Sequence, residues 1–137
     1  MKGVQIDGED FYDCLKRYDR AETLFYCDPP YTMDSRSDGG RNRYMYEFNK
    51  QEHIRLAEAV NNVKGAVMVS GYPDKLYDEL FSGWVCERRE TIATAAKGSN
   101  SSRVECVWLN PALSAMLARE RAEAERDKNV VDFGLFA

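Results

Sequence analysis

The chain has 137 residues, enough for one domain with a single core. Apolar residues make up 44% and charged residues 31%, as in ordinary globular proteins, and no stretch approaches the ~18 apolar residues of a membrane span. A net charge of −4 excludes a uniformly basic surface, so a nucleic-acid role would need local patches. Two candidate patches are Arg36, Arg41 and Arg43, and Arg88, Arg89, Lys97 and Arg103.

Residues 3 to 6 read as a short strand, followed by a helix near 9 to 18 that Asp7 or Asp10 precedes. Phe11, Cys14, Leu15 and Tyr18 fall at i, i+3, i+4 and i+7, which makes one helix face. Leu24-Phe25-Tyr26-Cys27 is wholly apolar or aromatic and predicts a fully buried strand. Asp28-Pro29-Pro30-Tyr31 follows and differs in kind. Ionised Asp28 accepts hydrogen bonds without donating any. Pro29 and Pro30 lock φ and lack an N–H, so the strand ends there on a stiff backbone. Tyr31 offers a flat ring. A carboxylate, a rigid carbonyl and a stacking ring at a strand's carboxyl end suit a flat heterocycle bearing an amino group, and such ends are where open α/β sheets bind ligands.

A polar loop, residues 32 to 43, leads to Tyr44, Tyr46 and Phe48, whose alternation suits a short half-buried strand. Asn49 with Glu52 three residues on is capping-box-like and starts a helix to about Val63. Ile54, Leu56, Ala57, Val60 and Val63 form its core face, and Gly65 is read as its stop. His53 has no ligand-spaced partner and reads as a surface residue. Ala66 to Ser70 predicts a second buried strand, and Asp74 caps a helix over 75 to 82 with Leu76, Leu80 and Phe81 inward. Trp84 to Glu90 and Arg103 to Leu109 read as strands pairing antiparallel across a polar linker, 91 to 102. Residues 112 to 128 are helical by propensity, with a solvated charged face, and the tail from Val130 to Phe136 has no regular pattern. Cys14, Cys27, Cys86 and Cys106 include no C-x-x-C pair, which predicts reduced, mostly buried thiols and no metal site.

Asp28-Pro29-Pro30-Tyr31 after an apolar strand resembles the catalytic motif of amino-group DNA methyltransferases, in particular the adenine-N6 enzymes of the Dam-like D12 class. Three weaker likenesses extend it over roughly residues 4 to 111. Asp10-Phe11 resembles the family's cofactor-adenosine pair, although a charge at a helix start explains Asp10 as well. Ser70-Gly71-Tyr72 resembles a strand-end Ser-Asn-Tyr, with glycine in place of the usual Asn. Arg103 to Pro111 resembles the closing strand.

The resemblance implies an α/β fold: an incomplete Rossmann-like, S-adenosylmethionine-dependent methyltransferase with a mixed sheet, a terminal antiparallel strand pair and a C-terminal helix. Residues 1–111 would form a partial catalytic domain and 112–137 a charged helix and tail. Asp28, Pro29, Pro30 and Tyr31 would be catalytic, and Asp10, Phe11 and Asp28 would hold S-adenosylmethionine. Tyr31, Arg41, Arg43, Tyr44 and Tyr46 would meet a flipped adenine of DNA. The implied setting is the cytoplasm of a bacterial or phage system, with no membrane partner. The family's Phe-x-Gly-x-Gly loop has no counterpart among the nine glycines, and only 27 residues precede Asp28. The likeness is thus to a C-terminal catalytic half, whose DNA-methylating activity would need a larger or split enzyme. In the family's sheet order, 3-2-1-4-5-7-6, strand 4 would then have an open edge for a second chain or second copy. Two other readings stand beside this one: an inactive remnant or nucleic-acid- or partner-binding module, and a nucleotide-handling protein in which the motif is a structural turn.

Overall fold

The computed structural model describes residues 3–30, 48–94 and 100–134, with side chains described up to residue 90 and over 104–128. Four helices and four strands alternate in part: α1 (Phe11–Tyr18), β1 (Leu24–Cys27), α2 (Lys50–Asn61), β2 (Ala66–Gly71), α3 (Lys75–Leu80), β3 (Val85–Thr94), β4 (Asn100–Leu109) and α4 (Pro111–Gly134). The sheet is mixed, in the order β1-β2-β4-β3. β1 runs parallel to β2 with Cys27 opposite Val69, while β4 is antiparallel to both of its neighbours. This is the order expected for the last four strands of the resembled sheet, and among the described residues it leaves β1 at an edge.

Local chemistry accounts for the boundaries. Asp10 caps α1 by accepting from the Tyr12 N–H at 2.9 Å. Asn49 caps α2 as expected, accepting from the Glu52 N–H at 3.0 Å. Asn110 is 5% exposed and caps α4: its Oδ1 accepts from the N–H groups of Leu113 and Val67, and its Nδ2 donates to the Gly65 carbonyl. Pro111 then sits in the first helical turn, where a missing N–H costs nothing.

Alternation divides the sheet into two faces. Val67, Val69, Cys106 and Trp108 pack with Leu15 of α1, Leu56, Ala57 and Val60 of α2, and Tyr77 and Phe81 at α3. The opposite face has a smaller cluster, Ala66, Leu109 and Leu113, with Met68, Val107 and Leu117 at its margin.

Several expectations need correction. Residues 3 to 6 are not a strand; Ile6 is 93% exposed, and a short segment without a neighbouring strand gains no ladder. β1 is half-buried on one face only, through Phe25 and Cys27, while Leu24 and Tyr26 are 56% and 62% exposed where none of the described helices covers them. Gly65 does not end α2, which stops at Asn61 with Asn62 as its cap. Its role is close approach: a Cβ there would lie 2.6 Å from the Thr23 carbonyl oxygen. His53 is 1% exposed and belongs to the core. In α3 it is Tyr77, with Phe81 at the cap, that is fully buried, while Leu76 and Leu80 are half-buried. Much of the supposed linker is hairpin, with Thr91 pairing Arg103 and Thr94 pairing Asn100. β-branched residues there favour extended backbone without an apolar face. α4 also runs six residues past the expected end.

Candidate active site

β1 alternates Leu24, Tyr26 and then Asp28 towards the sparsely covered face, and Phe25 and Cys27 towards the core. Asp28 is exposed, Pro29 half-buried and Pro30 exposed. The carboxylate is anchored from the next strand: the Ser70 hydroxyl donates to Asp28 Oδ1 at 2.7 Å. Ser70 Oγ also lies 3.3 Å from the Cys27 carbonyl and accepts from the Tyr26 hydroxyl at 3.3 Å. Tyr31, Arg41, Arg43, Tyr44 and Tyr46 lie outside the described residues.

Asp10 and Phe11 stand at the start of α1. Both Asp10 oxygens are engaged: Tyr12 N–H and Arg55 Nη2 donate to Oδ1, and Arg55 Nη1 to Oδ2 at 3.1 Å. The Tyr12 N–H, and then Arg55, hold this carboxyl below the usual carboxylate range. The Arg55 guanidinium carbon also lies 5.0 Å from the centre of the Phe11 ring. Phe11 is half-buried and touches Phe48, which begins a run of tilted and edge-on ring contacts through His53 and Tyr77 to Trp108.

Cys27 adjoins the motif but is no ready nucleophile. Burial, with Cys14 adding to it, pushes its thiol up to about 11, so the thiolate is scarce at neutral pH. All four cysteines are free. Among the described residues no group of three or more His, Cys, Asp or Glu is arranged to hold a metal.

Of the expected basic patches, the first lies outside the described residues. In the second, Arg88 and Arg89 are neighbours on β3 and project to opposite faces, so they form no common patch. Arg88 faces Asp78, 3.8 Å away. The side chains of Lys97 and Arg103 lie outside the described set.

Gly71, which replaces the usual Asn, has a steric explanation. A Cβ there would come 3.2 Å from the Trp108 ring and 3.4 Å from that of Tyr77. The residue that sequence reasoning overlooked is Ser70, noted only as part of a strand end. A signal was available: if the two parallel strands start in step, Ser70 falls opposite Asp28.

Residues 1–95 match the sequence model of the D12 class N6 adenine-specific DNA methyltransferases. The chain belongs to this family. The match spans the Asp10-Phe11 pair, the Asp28 motif and the Ser70 strand end, and stops before β4. Membership implies DNA adenine methyltransferase activity, with DNA as substrate. No curated protein matches the chain. Among the described residues, no helix is long and apolar enough to cross a membrane.

Proposed function

We propose that this member of the D12 class carries the amino-recognising part of a site that methylates N6 of adenine in DNA. S-adenosylmethionine is the proposed donor, and a larger or split enzyme, cytoplasmic and acting on bacterial or phage DNA, the proposed setting. The observation carrying the reading is an exposed carboxylate, Asp28, at the carboxyl end of a parallel strand within the family's matched span. Its position accords with ligand binding beyond strand ends in open α/β sheets.

The chemistry explains why an aspartate followed by proline is useful. The N6 lone pair of adenine is delocalised into the ring, which makes the amine a poor nucleophile. Accepting one N–H at the Asp28 carboxylate and the other at the Pro29 carbonyl draws the nitrogen towards a tetrahedral form. Positive charge developing there meets fixed negative oxygens, a contribution of about 10²–10³ in rate for a single such group. Bound S-adenosylmethionine would supply an electrophilic methyl group on a sulfonium. No covalent enzyme intermediate is required, in keeping with a protonated Cys27. The target base must leave the duplex, at a few kcal/mol. Stacking on Tyr31, worth about 1–3 kcal/mol, would offset much of this. Pro30 stiffens the turn, and Arg41, Arg43, Tyr44 and Tyr46 are the proposed contacts to DNA.

Asp10 and Phe11 are the residues proposed to hold the cofactor. The donor chemistry fits in part. Three N–H groups already reach the Asp10 carboxylate, leaving about one of its roughly four acceptor positions. With no Phe-x-Gly-x-Gly in the sequence, the rest of a cofactor site would come from elsewhere. The edge position of β1 is where a second chain or second copy would extend the sheet.

The test is transfer of labelled methyl from S-adenosylmethionine into adenine-containing DNA, with the chain alone and with a family N-terminal half supplied. Asp28→Ala is expected to cut the rate by about 10²–10³ with little loss of fold. Activity unaffected by Asp28→Ala would sink the assignment of the site. No activity with any partner would favour the binding-module or remnant reading.

A further inference from the structure

We propose that Ser70 is a positioning residue for the Asp28 carboxylate: its hydroxyl hydrogen fixes Oδ1 and leaves Oδ2 as the acceptor for the adenine amino group. This rests on the methyl-transfer reading and deepens it. An exposed aspartate beyond the last residue of a strand has free side-chain rotamers, and an acceptor that must meet one particular N–H loses effectiveness if it swings. Ser70 removes that freedom from a rigid base. It stands on β2, one step past the Cys27–Val69 pair, so strand register sets its place opposite Asp28.

The hydrogen-bond count supports one direction of donation. Serine has a single hydroxyl hydrogen and two lone pairs. The 2.7 Å contact to Asp28 is the shortest that Ser70 Oγ makes, as expected when the acceptor is charged. The Cys27 carbonyl is a poorer competitor at 3.3 Å, and the Tyr26 hydroxyl donates into Oγ rather than taking its hydrogen. Among the described residues Ser70 is the hydrogen-bond partner that Asp28 has, and no described cation pairs with it. One oxygen held and one presented also matches the division of labour above, in which the second N–H goes to the Pro29 carbonyl.

The deciding measurement is the preference of the full chain for an amino-bearing base. Fluorescence anisotropy would compare two labelled oligothymidylates, one containing a single adenine and the other a single purine, which lacks the amino group. Wild type should bind the adenine strand about ten-fold or more tightly, the scale of a hydrogen bond to a charged group. Ser70→Val should lose most of that preference and Ser70→Thr should keep it, because the two differ by a hydroxyl against a methyl of similar shape. Thermal melts would verify folding, with Ser70→Ala as a smaller variant. A preference retained in folded Ser70→Val overturns the proposal and leaves the methyl-transfer reading standing. Absence of any preference in wild type overturns both. Variants that unfold whenever the hydroxyl is missing would assign Ser70 to structure alone and overturn the positioning role.

Discussion

The two faces of the sheet are built to different standards. On one, three helices close over Val67, Val69 and Trp108, and edge-on ring contacts run from Phe48 through His53 and Tyr77 to Trp108. On the other, α4 lays Leu113 and Leu117 over Ala66 and Leu109, while Leu24 and Tyr26 remain exposed. Strand alternation puts Asp28 and Ser70 on that second face. The fold thus concentrates its packing on the face away from the Asp28 carboxylate, where Phe11 is the one proposed site residue that joins it, and among the described residues little covers the side on which a flat base would have to lie. Stability and function should therefore respond to mutation on opposite faces.

The largest expected effect tests the closed face. Trp108 is 1% exposed and touches the rings of Tyr77 and Phe81. Trp108→Ala should cost about 3–5 kcal/mol of unfolding free energy, from lost burial plus a cavity that rigid neighbours cannot fill. Leu113→Ala, on the thinly covered face, should fall near the lower end of the about 2–5 kcal/mol range because the helix start can settle into the gap. Urea unfolding of both variants gives the order directly. If Leu113 proves the costlier loss, the two faces do not differ as described.

A smaller effect probes the polar pair inside the closed face. His53 Nδ1 and the Tyr77 hydroxyl are 2.8 Å apart, and His53 Nε2 has no hydrogen-bond partner among the described residues. Burial pushes the imidazole below its ordinary value, with Asp74 and the Phe48 carbonyl opposing, and burial also raises the Tyr77 phenol. A histidine whose folded pKa is depressed binds its proton more readily when unfolded. Stability should then be flat above about pH 6.5 and fall as pH drops below it, towards the folded value. Asp10, also depressed, loses its contribution only below its ordinary 3.8, so the two windows separate. Melting temperatures measured from pH 7 to 4.5 should decline in wild type. The decline should shrink in the double variant His53→Leu/Tyr77→Phe, which removes both polar partners together and avoids leaving one orphaned. An equal decline in both proteins would remove His53 as the cause.

This pair also marks the boundary of what could be read from the chain. The existence of the strands, the Asn49 cap and the position of Asp28 follow from short-range signals: apolar runs, capping side chains and a proline stop. The strand order was implied only by the family resemblance. His53 was misread because a histidine among polar neighbours looks solvated until a tyrosine 24 residues away supplies its hydrogen bond. The Ser70 contact was missed for a related reason, since it spans 42 residues and exists only once two strands are in register. The hairpin beyond Glu90 was hidden because backbone pairing, rather than an apolar pattern, extends it. Exposure of Leu24 and Tyr26 could not be seen either, as a run of apolar residues does not say which face a helix will cover.

The smallest expected change is also the one that most directly tests the openness of the second face. Leu24 sits at the start of the edge strand and is 56% exposed, opposite Ala66 in the parallel ladder. Leu24→Thr places a β-branched residue in extended backbone and removes apolar surface already in contact with water. Substitutions at such sites usually stay within about 0.5 kcal/mol. The melting temperature should therefore hardly move, while self-association, monitored by sedimentation at rising concentration, should fall if apolar residues along an unpaired edge promote it. A loss of about 2 kcal/mol or more, the scale of a buried leucine, would mean that the chain itself covers Leu24. The face bearing Asp28 would then be closed, and the surface proposed to receive a base would not exist.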